Sequence, residues 1–102
     1  MLGLGNSVGN KNYQWQPTLV GADLKLWLRN NVAITTTRWD DSSGNGNHIT
    51  QTSSGDQAAL SDGGLDFEVS EADHYDIAND IVVASEEAFM MFAVIKIESV
   101  DA

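Results

Sequence analysis

The chain has no cysteine and a single proline, Pro17. Without thiols it can build neither a disulfide framework nor a thiolate metal site, and its composition leaves no trace of a redox compartment. Cations are scarce as well. Lys11, Lys25, Arg29, Arg38 and Lys96 face fifteen acids, for a formal net charge of −10. A surface this acidic repels phosphate backbones, which excludes nucleic acid as an expected partner. No apolar run approaches the roughly 20 residues of a membrane span, so a membrane is not expected either. The opening stretch, MLGLGNSVGNKNYQW, lacks the basic start and the continuous apolar run of a secretory signal. If the protein works outside a cell, the expectation is that it arrives there within an assembly.

What remains is enough for one folded unit. The 102 residues, 42% of them apolar, match one domain in size. A chain this short buries only about two-thirds of its unfolded surface on folding, so partners matter for its order. Its charge is unevenly spread: residues 1–38 carry four cations and the single acid Asp23, whereas residues 39–102 carry only Lys96 against fourteen acids. The N-terminal third can therefore dock on an acidic neighbour, or the charge can simply solvate the surface.

Residues 1–20, rich in Gly, Asn and Gln and holding the proline, read as an irregular N-terminal arm. The body is expected to start at Gly21 and run to Ala102. In DLKLWL, Leu24, Leu26 and Leu28 alternate with Lys25, Trp27 and Arg29, the period of a half-buried strand. A helix capped by Asp23 is the other option. GLDFEV alternates again, with Leu65, Phe67 and Val69 against Asp66 and Glu68, and HYDIA is a shorter strand candidate. AFMMFAVIKIESV carries the strongest strand pattern. It is apolar on both faces at first and then alternates through Ile95, Lys96, Ile97 and Glu98, as in a strand that runs from a covered region to a wetted edge. Strands separated by turn-rich loops predict an all-β antiparallel sandwich.

The most polar stretch is TRWDDSSGNGNHIT, residues 37–50. Counted from Asp41 as a calcium loop, Ser43 and Asn45 fall on ligand positions and Gly46 on the turn glycine. The twelfth position is Thr52, not glutamate, and the flanks read as strands, so no metal is expected. Asn45-Gly46 instead has the chemistry of a tight hairpin turn. On that reading Asp41 and Ser42 accept hydrogen bonds from turn amides, and Trp39 anchors the hairpin to the core.

Taken in order, LKLWL, WDDSSGNGNHIT, GGLDFEVSEADHYDI and FMMFAVIKI resemble the first half of a concanavalin A-like lectin/glucanase domain of the laminin-G-like jelly-roll type. The resemblance covers residues 22–98. Its polar turn is matched by Trp39, Asp41, Ser43, Gly44, Asn45, Gly46 and Asn47, and its later pattern by Phe67, by Asp73, His74 and Tyr75, and by Phe89 to Ile97. It implies a jelly-roll-type β-sandwich. Such folds need about eight strands, and five or six are countable here, so the domain is expected to be incomplete. Either the polypeptide continues or another chain completes its sheets. The start MLGLGNS, leading through a Gly/Asn arm into such a domain, is similar to structural proteins of tailed bacteriophages, particularly those of marine cyanobacteria.

Catalysis is not expected. The glucanases of this fold pair carboxylates on one strand, roughly 5 Å apart for retaining hydrolysis. Here Glu68 falls in a strand, Glu71 and Asp73 fall in the turn after it, and no glucanase motif surrounds them. His48 and His74 stand alone without cysteine or repeated ligand spacing. GLGNSVGN follows no strand and lacks the lysine of a phosphate loop. No cofactor is implied. Two readings remain. In the first, the protein is a virion-associated structural module, a capsid decoration or a head or tail appendage at the particle surface. Its arm, with Leu2, Leu4, Val8, Tyr13 and Trp15 as contacts, joins it to other virion proteins or to a second copy in a homo-oligomer. In the second, it is a carbohydrate-binding module that stacks Trp27 or Tyr75 on host glycans.

Overall fold

A computed structural model describes residues 14–83 and 85–97. The described chain is β-rich and antiparallel, with three short 3-10 helices and five short strands. Strands β1 (Arg38–Trp39), β2 (Ile49–Thr50) and β5 (Asp76–Ile77) form one sheet in the order β1-β2-β5. Trp39 pairs with Ile49, and Ile49 in turn with Ile77. Strands β3 (Ala59–Ser61) and β4 (Gly64–Asp66) form a separate hairpin, with Leu60 opposite Leu65.

The β3–β4 hairpin turns through Asp62 and Gly63, whose φ angles are +51° and +81°. Two consecutive positive φ angles are the signature of the mirror-image two-residue turn, whose twist matches that of the strands it joins, and Asp-Gly is a preferred pair there. Neighbouring residues hold the turn in place. The Asn31 amide donates to the Gly63 carbonyl at 2.7 Å. With its nitrogen turned toward the loop, the Asn30 side chain donates to the Asp62 and Gly63 carbonyls, both at 3.0 Å.

Several expected strands are shorter than their patterns, or absent. Leu24–Leu28 forms no ladder, and only the isolated bridge between Leu28 and Asp41 touches it. The reason is that its backbone groups are taken by side chains of residues 41–47, as described below. The GLDFEV strand ends at Asp66, because the chain then turns into the 3-10 helix Val69–Glu71 and leaves it through Ala72 at φ +58°. Glu68 therefore precedes a helical turn and is not in a strand. HYDIA contributes Asp76–Ile77. The arm is not irregular to its end, since a 3-10 helix spans Pro17–Asp23 with a kink at Gly21. Pro17 suits its first turn, where no donor is needed.

The largest departure concerns residues 88–97. They form no strand among the described residues. Phe89 is 76% exposed and Phe92 74%, and Met90, Met91, Val94, Ile95 and Ile97 are exposed as well. A segment apolar on both faces becomes a strand when neighbours supply ladder partners and cover, and the described residues supply neither. Among the described residues, the buried apolar ones are Ile49 and Ala58. Polar latches accordingly carry much of the order of the body.

Candidate functional site

The chain reverses between β1 and β2 through residues 40–48, and this loop is built around one carboxylate. Asp41 is only 8% exposed. Its Oδ1 accepts the backbone amides of Trp27 at 2.9 Å and Ser43 at 2.8 Å. Its Oδ2 accepts the Ser43 hydroxyl at 2.6 Å and the Asn47 amide at 3.0 Å. Burial alone would raise the Asp41 pKa. The Ser43 hydroxyl and the amides of Trp27, Ser43 and Asn47 outweigh it and hold the carboxyl below its ordinary range.

The same loop fastens the Leu24–Trp27 segment. Asn45 Nδ2 donates to the Leu24 carbonyl at 2.6 Å and Asn47 Nδ2 to the Lys25 carbonyl at 2.7 Å. The Ser42 amide donates to the Trp27 carbonyl at 2.7 Å. Side chains thus do for Leu24, Lys25 and Trp27 what a neighbouring strand would do. Unpaired backbone groups in a part-buried segment are costly, so this latch keeps Leu26 and Leu28 half-buried without a ladder. Ser42 acts through its backbone; the side chain that accepts a turn amide is that of Ser43, from Asn45 N at 3.2 Å.

Asn45-Gly46 is therefore not a two-residue hairpin turn. The positive φ angles fall on Gly44 (+93°) and Gly46 (+73°), separated by an Asn45 whose φ is not positive. Asn45 is a latch residue and Gly46 a bend. The two-residue turn lies instead at Asp62-Gly63, a dipeptide immediately before GLDFEV. Trp39 pairs with Ile49 and bridges Ile34, and its Nε1 donates to the Arg29 carbonyl at 3.0 Å.

The flanking residues complete the electrostatics. Arg38 Nε pairs with Asp40, whose pKa is lowered chiefly by that bond. His48 Nδ1 lies 3.4 Å from Asp40 Oδ1, but it accepts the Asp41 amide at 3.0 Å. A nitrogen that accepts an amide proton is the bare nitrogen of its ring, so Nδ1 serves here as an acceptor. Among the described residues no three His, Cys, Asp or Glu side chains gather to hold a metal.

A second polar cluster closes the other end of β2. Gln51, buried, donates from Nε2 to the His74 carbonyl at 3.0 Å, accepts the Ser53 amide at Oε1 and takes Gln57 Nε2 on its own carbonyl. His74 Nδ1 faces the Ala72 carbonyl at 3.0 Å, and this bond raises the pKa of an otherwise exposed ring. Asp73 Oδ2 accepts the Glu68 amide at 2.8 Å. Of the three carboxylates considered for glycoside hydrolysis, Asp73 thus serves the turn.

The two aromatic residues considered as sugar platforms are engaged. The Arg29 guanidinium sits 4.9 Å from the centroid of the Trp27 ring, a cation–π contact that occupies one face. The Tyr75 hydroxyl donates to the Thr36 carbonyl at 2.6 Å, and its ring meets Phe67 edge-on at 5.8 Å. Burial raises the Tyr75 pKa. Trp15, from the arm, lies 5.7 Å from Phe92. Leu2, Leu4, Val8 and Tyr13 lie outside the described residues.

An open cleft of about 2290 Å³ runs between residues 88–97 and the body, with Leu26, Trp27, Phe67, Phe89 and Phe92 among its lining. Small-molecule pockets are typically about 300–1,000 Å³. The cleft is larger than that range, and its lining is mainly apolar. No helix among the described residues is long and apolar enough to cross a membrane. Compared with known protein families, curated proteins and solved structures, the chain matches none.

Proposed function

We propose that the chain is a structural module of a virus particle, a non-catalytic jelly-roll-type β-sandwich at the particle surface that becomes complete only on assembly. The observation that carries this reading is the uncovered apolar segment 88–97 beside an open cleft. Monomeric soluble proteins rarely leave so much contiguous apolar surface bare, and patches of this kind mark interaction sites. The antiparallel β1-β2-β5 sheet and the β3–β4 hairpin are compatible with the proposed architecture. The resemblance of the Trp39–Asn47 loop to the laminin-G-like type, and of the N-terminal arm to phage structural proteins, supports both the fold and the setting. The arm, residues 1–20, is the proposed attachment, and Trp15 against Phe92 brings its end to the apolar segment. The glycan-binding alternative has less support, because Trp27 and Tyr75 are already engaged by Arg29, Phe67 and Thr36.

Mass spectrometry of purified particles of the virus that encodes the chain tests the proposal. The protein should be present at a fixed copy number relative to the major shell protein. Absence from particles, or binding to a glycan array well above background, would contradict it.

A further inference from the structure

We infer that Asn45-Gly46 is a site of self-modification, at which loss of ammonia turns the Asn45 amide into an acid and releases the Leu24–Lys25 latch in one direction only. The inference is independent of the proposed function.

Sequence and backbone supply the reactive pair. Asn45 is the one asparagine in the chain that glycine follows, and glycine has no Cβ to keep a neighbouring carbonyl carbon from its amide nitrogen. The Gly46 amide donates to no acceptor among the described residues, so it has no backbone bond to lose before it reacts. Asn45 is exposed, which gives water access. The Gly46 nitrogen attacks Asn45 Cγ: the N–Cγ bond forms, the Cγ–Nδ2 bond breaks, and the Gly46 amide proton leaves with Nδ2 as ammonia. Water then opens the cyclic imide at either carbonyl and returns a proton to the nitrogen, leaving aspartate or its β-linked isomer. Water is the only co-reactant.

The fold adds a gate and a consequence. Asn45 Nδ2 donates to the Leu24 carbonyl at 2.6 Å, to Ser43 Oγ at 2.9 Å and to the Lys25 carbonyl at 3.3 Å. The amide nitrogen can depart only when these bonds break, so the reaction runs through local openings of the loop. The acid that replaces it has no hydrogen to donate at neutral pH, and it faces carbonyl oxygens. Ser43 cannot help, because its hydroxyl hydrogen goes to Asp41 Oδ2 at 2.6 Å. Lys25 keeps Asn47 as a donor, whereas the Leu24 carbonyl loses the side chain that held it. Both residues line the open cleft, so the change loosens that wall and does not reverse.

Peptide mapping by mass spectrometry of the full chain, aged in mildly alkaline buffer, tests the inference. Asn45 should convert before the other asparagines, to a mixture of aspartate and its β-linked isomer, with ammonia released in equal amount. Conversion should be about tenfold to a hundredfold slower than in a free peptide of the same loop, because only the open fraction reacts. Ser43→Ala removes one acceptor of Nδ2 and should speed it about fivefold. Urea below the unfolding transition should move the rate of the natural chain toward that of the peptide. In Asn45→Asp, which makes the product directly, the amides from Lys25 to Trp27 should exchange with deuterium about tenfold faster. Conversion no faster at Asn45 than at the other asparagines would overturn the inference. So would conversion at the peptide's rate with Ser43→Ala and urea without effect, or natural exchange rates in Asn45→Asp, since the new acid would then unlatch nothing.

Discussion

The Asp41 carboxylate accepts the backbone amide of Trp27, fourteen residues earlier, at 2.9 Å. Through that bond a surface loop between two short strands holds a segment that has no strand partner of its own. Removing the carboxylate should be felt throughout the body. Asp41→Ala leaves the amides of Trp27, Ser43 and Asn47 without their acceptor and should destabilise the fold by about 3 kcal/mol. Ser43→Ala, which removes one donor and keeps the carboxylate, should cost about 1 kcal/mol. Urea unfolding measures both, and a loss of less than about 1 kcal/mol for Asp41→Ala would show that the latch is ornamental.

The same carboxylate sets an acid limit. Its folded pKa lies below the ordinary value, so its contribution is present above about pH 4 and is lost as pH falls through the folded value. Asp40, held low chiefly by Arg38, acts in the same direction. The difference between the natural chain and Asp41→Asn isolates the Asp41 part. Their stabilities should converge as pH drops below about 4, because only the natural chain has a charge to lose at position 41. Parallel curves from pH 6 to pH 2 would remove Asp41 from the acid transition.

Two glycines with positive φ should respond differently to alanine. A Cβ at Gly63 would meet Asn30 and Asn31 atoms at 2.9 Å, whereas one at Gly44 meets nothing within 4 Å. Gly44→Ala should cost about 1 kcal/mol from backbone strain alone. Gly63→Ala should cost about 1 kcal/mol more, because Asn30 and Asn31 must also give way. Thermal melts of the two variants side by side decide it, and equal losses would mean that the turn does not pack against Asn30 and Asn31.

Tyr75→Phe keeps the ring against Phe67 and deletes the bond to the Thr36 carbonyl. The expected loss is about 1 kcal/mol, read by chemical denaturation. If Tyr75 were instead a sugar platform with a free hydroxyl, the variant would be as stable as the natural chain.

Local chemistry in the sequence marks some of these features and misses others. The polar run from Asp40 to Asn47, with apolar residues on either side, is legible as a chain reversal between Trp39 and Ile49, because turn residues act over a few positions. That Asp41 reaches back to Trp27, and Asn45 to Leu24, is a contact between distant segments, which periodicity does not report. The alternation in Leu24–Leu28 correctly implies a half-buried face; it says nothing of whether a ladder or a set of side chains satisfies the backbone. For Phe89–Ile97 the pattern, apolar on both faces, is that of a strand covered on both sides, and under the proposed function that cover comes with assembly. The described residues leave those faces bare.

That cover is the central claim, and hydrogen–deuterium exchange of Ala88–Ile97 tests it most directly. At nanomolar concentration the free chain should exchange these amides at nearly the rate of an unstructured peptide, while Asn47, held by Asp41, is protected. In purified particles the same amides should slow by about 100-fold or more, as they gain strand partners and lose contact with water. Equal exchange in the free and particle-bound protein would contradict the account.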